Sequence, residues 1–176
     1  MEDIRHIVGL SGGKDSVATA LHLKELGIEH DLMFYDTGWE HPDLYEHLAY
    51  LEGELGPIQR VGAEMPDLPN EVMPEVLAIE ELVGSSPSAF VRWCVAKAFF
   101  PSRRLRWCTH KLKIEPFINH VASLDEDIVS VVGVRAEESA KRAKMVERED
   151  LPGAEHIEVW RPLLQWKEAD VIDIHN

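Results

Sequence analysis

The chain has 176 residues, enough for one domain with a sizeable core, and 45% hydrophobic with 28% charged residues is an ordinary globular balance. No apolar run approaches the ~20 residues of a membrane span, the acidic start lacks the order of a signal peptide, and two cysteines, Cys94 and Cys108, are too few for a disulfide scaffold, so a cytoplasmic protein is the simplest expectation. A net charge of −14 opposes binding to membrane and non-specific binding to nucleic acid.

Ile4 to Leu10 is a short apolar run ending in glycines, the pattern of a buried strand. From Ser16 the apolar spacing becomes helical (Val17, Ala20, Leu21, Leu23, Leu26), with Gly27 as the stop. Asp31 to Tyr35 reads as a second strand, Pro42 to about Leu55 as a second helix, and Ile58 to Val61 as a third strand. Glu71 to Val83 reads as helical despite Pro74, Gly84 to Ser88 as a loop, and Ala89 to Phe100 as a helix broken by Pro101. Thr109 is placed to cap a helix from His110 to about Ala122 that contains Pro116. Ile128 to Val134 is the strongest strand pattern, 135–150 a charged mobile loop, Ile157 to Trp160 a strand, and Lys167 onward a helix. Strands alternating with helices predict a single α/β domain over 1–176. The expected form is a Rossmann-like three-layer sandwich with a mostly parallel, twisted sheet and helices on both faces. The last helix runs to Asn176 without a C-cap, which leads us to expect a C-terminal tail that is short or missing.

Ser11-Gly12-Gly13-Lys14-Asp15-Ser16 lies between the first strand and the first helix, where α/β folds bind phosphates. Two glycines let backbone N–H groups approach an anion, the helix start adds free donors and a positive dipole end, and Lys14 adds a charge. The segment is neither a Walker A loop, because Val8 and Asp15 stand where glycine and Ser/Thr are required, nor a G-x-G-x-x-G fingerprint. It resembles the PP-loop of the ATP pyrophosphatase superfamily. That resemblance implies nucleotide binding by Ser11, Gly12, Gly13, Lys14, Asp15 and Ser16, cleavage of ATP between its α and β phosphates, and Mg²⁺ as cofactor with Asp15 as a candidate ligand.

Further segments resemble one branch, the phosphoadenosine phosphosulfate (PAPS) reductase family. Asp36-Thr37-Gly38 follows the second strand, where contact with the nucleotide is expected. Arg106-Trp107-Cys108-Thr109-His110-Lys111-Leu112-Lys113 is similar to the family's Arg-x-Cys-Thr-x-x-Leu-Lys. It implies anion binding by Arg106, Thr109, Lys111 and Lys113, with Cys108 a candidate nucleophile or metal ligand. Gly133 to Arg142 is similar to Gly-x-Arg-x-x-Glu-Ser-x-x-Arg, implying that Gly133, Arg135, Glu138, Ser139 and Arg142 bind phosphate or sulfate and that Arg135 acts with Lys14 in catalysis. Pro162 to Val171 resembles the Pro-Leu-x-x-Trp-x-x-x-Asp-Val tail element, in which Trp166 and Val171 should pack on the sheet. The charge distribution agrees. Residues 1–91 hold 4 Lys/Arg against 18 Asp/Glu, residues 92–148 hold 12 against 7, and residues 149–176 hold 2 against 7, so the basic middle carries most of these cations.

Two departures matter. Sulfonucleotide reductases carry a degenerate first loop and a cysteine in a C-terminal tail; this chain has the intact loop and no cysteine after Cys108. The expected activity is therefore adenylation of a small anionic substrate by ATP. The alternatives are thiol-dependent reduction of PAPS or APS, and a non-catalytic nucleotide-binding subunit. Association as a homodimer or with a partner subunit is compatible with each. No zinc spacing, no Gly-x-Ser-x-Gly elbow and no nameable nucleic-acid module accompanies these motifs.

Overall fold

A computed structural model describes residues 4–122, 124 and 126–176. The chain opens with β1 (Ile4–Gly9), α1 (Lys14–Glu25), β2 (His30–Asp36), α2 (Pro42–Leu55) and β3 (Ile58–Gly62). It continues through α3 (Met73–Leu82), α4 (Ala89–Lys97), α5 (Trp107–Thr109), a π turn (His110–Ile114) and α6 (Glu115–Val121). It closes with β4 (Asp127–Val131), β5 (Arg148–Leu151), β6 (Ala154–Trp160) and α7 (Glu168–Ile174). The six strands form one sheet in the order β3-β2-β1-β4-β6-β5, with β1 parallel to β2 and β4, β4 parallel to β6, and β5 antiparallel to β6. This is the mostly parallel, Rossmann-like α/β fold that the sequence predicts.

The described residues divide into two compact units, Met1–Phe34 with Glu46–Gln59 and Leu124–Asn176, and Tyr35–Tyr45 with Arg60–Ser123. In the first unit, Ile7 and Val8 of β1, Ile128, Val129 and Val131 of β4, and Ile157 and Val159 of β6 are buried, as expected of strands covered on both faces. The chain leaves β1 to one side toward β2, while β4 lies on the other. The carboxyl ends of β1 and β4 thus flank the point where the strand order reverses, the place where such folds form a ligand crevice. Small buried residues (Ser16, Ala18, Thr19, Ala20) let α1 pack closely, and α1 stops at Gly27 (φ 67°) in a Schellman motif, with Ile28 N–H to Leu23 O at 3.0 Å and Gly27 N–H to Lys24 O at 3.1 Å. In the second unit Ala63, Ala89, Phe90 and Leu112 form the core, with Trp93, Cys94, Trp107 and Cys108 packed against it.

Several expectations need correction. The strand expected over Ile128–Val134 ends at Val131; Val132 N–H still bonds to Trp160 O (2.9 Å), but Val134 N–H folds back to Val132 O (3.1 Å). The charged segment 135–150 is not simply a loop. It holds two 3₁₀ turns, Ala136–Glu138 and Arg142–Lys144, and the start of β5, a charged edge strand. Helix α4 ends at Lys97 instead of Phe100, because Ala98 turns left-handed (φ 56°). Thr109 caps nothing; it lies in the helical path that Arg106 opens. The π turn that follows ends just before Pro116, whose ring and missing N–H cannot continue a regular α ladder. Val171 packs with Ala18 of α1 and Leu163, and Trp166 packs against the same cluster with its ring edge-on to His22 at 4.8 Å.

Candidate functional site

The first unit carries the glycine loop. Gly12 adopts φ 76°, which favours glycine, and Gly13 begins α1 in an extended conformation with no side-chain cap, so the first-turn amides have no side-chain acceptor. The two serines hold the bend: Ser16 Oγ donates to Gly13 O (2.8 Å) and accepts from Ser11 N–H (3.1 Å), and the two hydroxyls meet at 3.1 Å. Ser11 and Ser16 therefore shape the loop; Gly13 N–H reaches Ser11 Oγ at 3.4 Å and Ser16 N–H bonds to Gly13 O at 3.1 Å, so the Lys14 and Asp15 amides are the first-turn donors with no acceptor among the described residues.

Lys14 Nζ lies 2.7 Å from Glu168 Oε1 at the start of α7, and His175 Nε2 lies 2.9 Å from Lys14 O. The Glu168 hydrogen bond raises the Lys14 pKa, and that same bond lowers the pKa of Glu168. α7 thus holds the loop lysine with a carboxylate of its own.

Arg135 follows β4 and is only 4% exposed. Its guanidinium pairs with Asp15 and Glu137, and its N–H bonds to Glu138 Oε2 at 2.9 Å. Burial disfavours its charge, but the bond to Asp15 and the neighbouring carboxylates outweigh that and raise its pKa. Burial likewise pushes Glu138 up, and the Arg135 N–H and the Arg142 ion pair overcome it, leaving its pKa lowered. Arg142 N–H also bonds to Ser139 Oγ at 3.2 Å. Gly133 is required by close approach. A Cβ there would lie 2.6 Å from Asp15 O and 2.8 Å from Thr19 Oγ1, so the strand exit packs directly on the first turn of α1. The first unit therefore brings together Ser11 to Ser16, Gly133, Arg135, Glu138, Ser139 and Arg142.

The second unit holds the Asp36-Thr37-Gly38 and Arg106 to Lys113 segments. Asp36 Oδ1 accepts from Gly38 N–H (2.9 Å) and from Tyr45 O–H (2.9 Å), and Thr37 Oγ1 donates to Glu40 Oε1 (2.8 Å). Burial and the Asp36 bond push the Tyr45 hydroxyl up to about 12. Gly38 (φ 68°) passes so close to Ser88 that a Cβ would meet Ser88 Cα at 2.8 Å. Arg106 reaches Thr109 Oγ1 at 3.4 Å, Lys111 pairs with Glu115 at 2.7 Å and stacks over Trp93 at 4.8 Å, and Lys113 is exposed. Cys108 is half-buried and lines an open hollow of about 620 Å³ with Arg103, Arg106 and Thr109. Burial, then the charge of Cys108, push the neighbouring Cys94 thiol up to about 11, so Cys94 stays protonated at neutral pH. The Trp107 indole N–H is buried with no acceptor among the described residues.

A family model for the phosphoadenosine phosphosulfate reductase domain matches residues 5–175, nearly the whole chain. The chain belongs to the PAPS reductase domain family. Two uncharacterized proteins are similar to it. One, from Escherichia phage 186, is 30% identical over 97% of this chain and 59% of its own length; the other, from Methanocaldococcus jannaschii, is 31% identical over 78% of this chain and 24% of its own. The chain thus spans about three-fifths of the first relative and about a quarter of the second. Among solved structures, the PAPS reductase of Candida auris in its phosphate complex superposes with a TM-score of 0.60 at 15% identity, covering 96% of this chain and 70% of that one, which is a likeness of fold.

For a PAPS reductase family chain, one part of the second unit was not legible in the motifs. Glu80 is fully buried and binds Arg92 Nε (2.8 Å), Ser88 N–H (2.9 Å) and Ser86 Oγ (3.0 Å), with its pKa lowered first by the Arg92 bond. Ser88 in turn caps α4 and donates to Gly38 O at 2.5 Å, so Glu80 fixes the loop that meets Gly38. The available signal was position: Glu80 lies four residues after buried Val76, on the same helix face. Among the described residues no cluster of three or more His, Cys, Asp or Glu is placed to hold a metal, and no helix is long and apolar enough to cross a membrane.

Proposed function

We propose that this PAPS reductase family chain binds the phosphate chain of an adenine nucleotide, ATP in the first instance, on the loop Ser11 to Ser16. The observation that carries the reading is the uncapped start of α1, opened by Gly12 at φ 76° and flanked by Lys14, beside the reversal of strand order between β1 and β4. An acceptor oxyanion would attack the α-phosphorus. The bond to the β-phosphate would break, and the charge gathering on departing pyrophosphate would meet the loop amides and Lys14. Lys14 would exchange its Glu168 partner for phosphate oxygens. Arg135 is a positioning residue in this reading, because its guanidinium is occupied by Asp15 and Glu137 and fixes the first turn of α1 to the loop after β4.

The residues fit Mg²⁺ only as a passenger on the phosphates. Arg135 engages Asp15 Oδ1, which leaves Oδ2 outside that pair, and Mg²⁺ held by phosphates needs only one or two protein oxygens. Bound there, it would offset phosphate charge.

The second reading, thiol-dependent reduction of a sulfonucleotide, draws on Cys108 lining a hollow with Arg103 and Arg106. Two thiols would reduce the sulfonyl sulfur to sulfite, leaving adenosine bisphosphate and a disulfide. One assay separates the readings: labelled ATP with sulfate and other oxyanions, scored for pyrophosphate, against PAPS with a dithiol, scored for sulfite. Pyrophosphate release supports adenylation. Sulfite without pyrophosphate would replace it by reduction.

A further inference from the structure

The second unit carries an exposed surface that the first reading, ATP on the loop Ser11 to Ser16, does not use. From Ala89 to Lys113 the chain has seven cations (Arg92, Lys97, Arg103, Arg104, Arg106, Lys111, Lys113) and no acidic residue, in a protein of net charge −14. Arg103 and Arg104 are exposed and enter no ion pair among the described residues, despite 32 acidic residues in the chain. Beside them Phe100 is 63% exposed, and Phe99 is exposed as well. The Phe100 ring is not loose. Buried Phe90 holds it edge-on at 5.2 Å and Trp39 at 6.4 Å, which leaves it as a supported, solvent-facing platform. Next to that platform lies the open hollow, with Arg103 and Arg106 and the hydroxyls of Ser102 and Thr109 on its rim.

We propose that this basic and aromatic loop, 97–109, binds a short stretch of single-stranded nucleic acid, with phosphates on the arginines and a base stacked on Phe100. Guanidinium groups suit phosphate oxygens, and an exposed ring suits any base, so the pairing fits a strand whose bases are free better than a duplex. The chain's net negative charge opposes a polyanion over most of its length, which limits contact to a few phosphates and keeps binding weak and salt-sensitive. An acidic protein partner could meet the arginines but has no need of the supported ring. The proposal does not depend on nucleotide binding at the first loop.

The test is fluorescence anisotropy of the full chain with a labelled oligothymidylate, its duplex form and polyglutamate as competitor. The expected result is binding of the single strand in preference to the duplex, with a log–log salt slope of about −2 for three neutralised phosphates. Phe100→Ala should weaken binding at least ~5-fold, the loss of one stacked base. R103E/R104E, a change at exposed positions, should abolish it. Lys14→Ala should leave it unchanged, so its failure is separate from any failure of the nucleotide reading. No binding by the unaltered chain, equal binding of duplex with no effect of Phe100→Ala, or displacement by polyglutamate as effective as by unlabelled oligonucleotide would each overturn the proposal.

Discussion

A Cβ added at Gly13 would lie 3.5 Å from Ser11 Oγ, an ordinary contact, whereas one added at Gly133 would lie 2.6 Å from a backbone oxygen of Asp15. The two glycines therefore separate binding from folding. Gly133→Ala should destabilise the chain by about 1–3 kcal/mol, as overpacking against backbone does, and lower the denaturation midpoint. Gly13→Ala should leave the midpoint near that of the unaltered chain and, under the proposed function, reduce nucleotide affinity, because the methyl group would stand where phosphates are proposed to approach the amides. Equal midpoints for both variants would mean that the exit of β4 is not packed on α1 as described. Lys14 and Glu168 offer a second test. Both are substantially exposed, so their ion pair is weak, and under the proposed function it would compete with phosphate for the same ammonium group. Glu168→Gln should tighten ATP binding modestly, no more than a few-fold by equilibrium dialysis. Weaker binding in that variant would show that Glu168 assists the nucleotide and does not compete with it.

At the scale of elements, the α3–α4 connection depends on Glu80 and Arg92. Removing one partner of a buried ion pair costs ~3–5 kcal/mol, and the partial exposure of Arg92 places Glu80→Gln at or below the low end. The sign of the pH effect follows from the lowered Glu80 pKa. Its contribution is complete above the ordinary value of 4.5 and is lost as pH falls through the lowered folded value. Urea midpoints should fall between pH 5 and acid for the unaltered chain, and less steeply for Glu80→Gln; parallel curves would remove Glu80 from this role. The same elements show what the sequence made legible. The β1-α1-β2-α2-β3 series could be read because apolar runs and glycine or proline stops mark each element. Strand β5 (Arg148-Glu149-Asp150-Leu151) could not, because an edge strand wants charge where an inner strand wants Val or Ile. The π turn was hidden because Thr109 looks like a cap and Pro116 like a fault, whereas the helical path opens at Arg106 and widens before the proline. At the candidate site, motif order marked the residues that meet in the first unit. It did not show that the Arg135 guanidinium faces Asp15, since a pairing across 120 residues leaves no local pattern.

For the whole molecule, an acidic chain uses its scarce cations in three ways. Arg135 and Arg92 are committed to internal carboxylates, while Arg103 and Arg104 enter no ion pair among the described residues, and Lys14 is held by one exchangeable partner. Lys14 is the cation on which the proposed function most depends. The most direct measurement is equilibrium dialysis of labelled ATP with Mg²⁺ against the unaltered chain and Lys14→Ala, each first shown to share one thermal midpoint. The expected result is saturable binding by the unaltered chain and at least a ~10-fold loss in the variant, the size of one charge-assisted contact of about 1.4 kcal/mol or more. Equal affinity in the two proteins, or no binding in either, would contradict it.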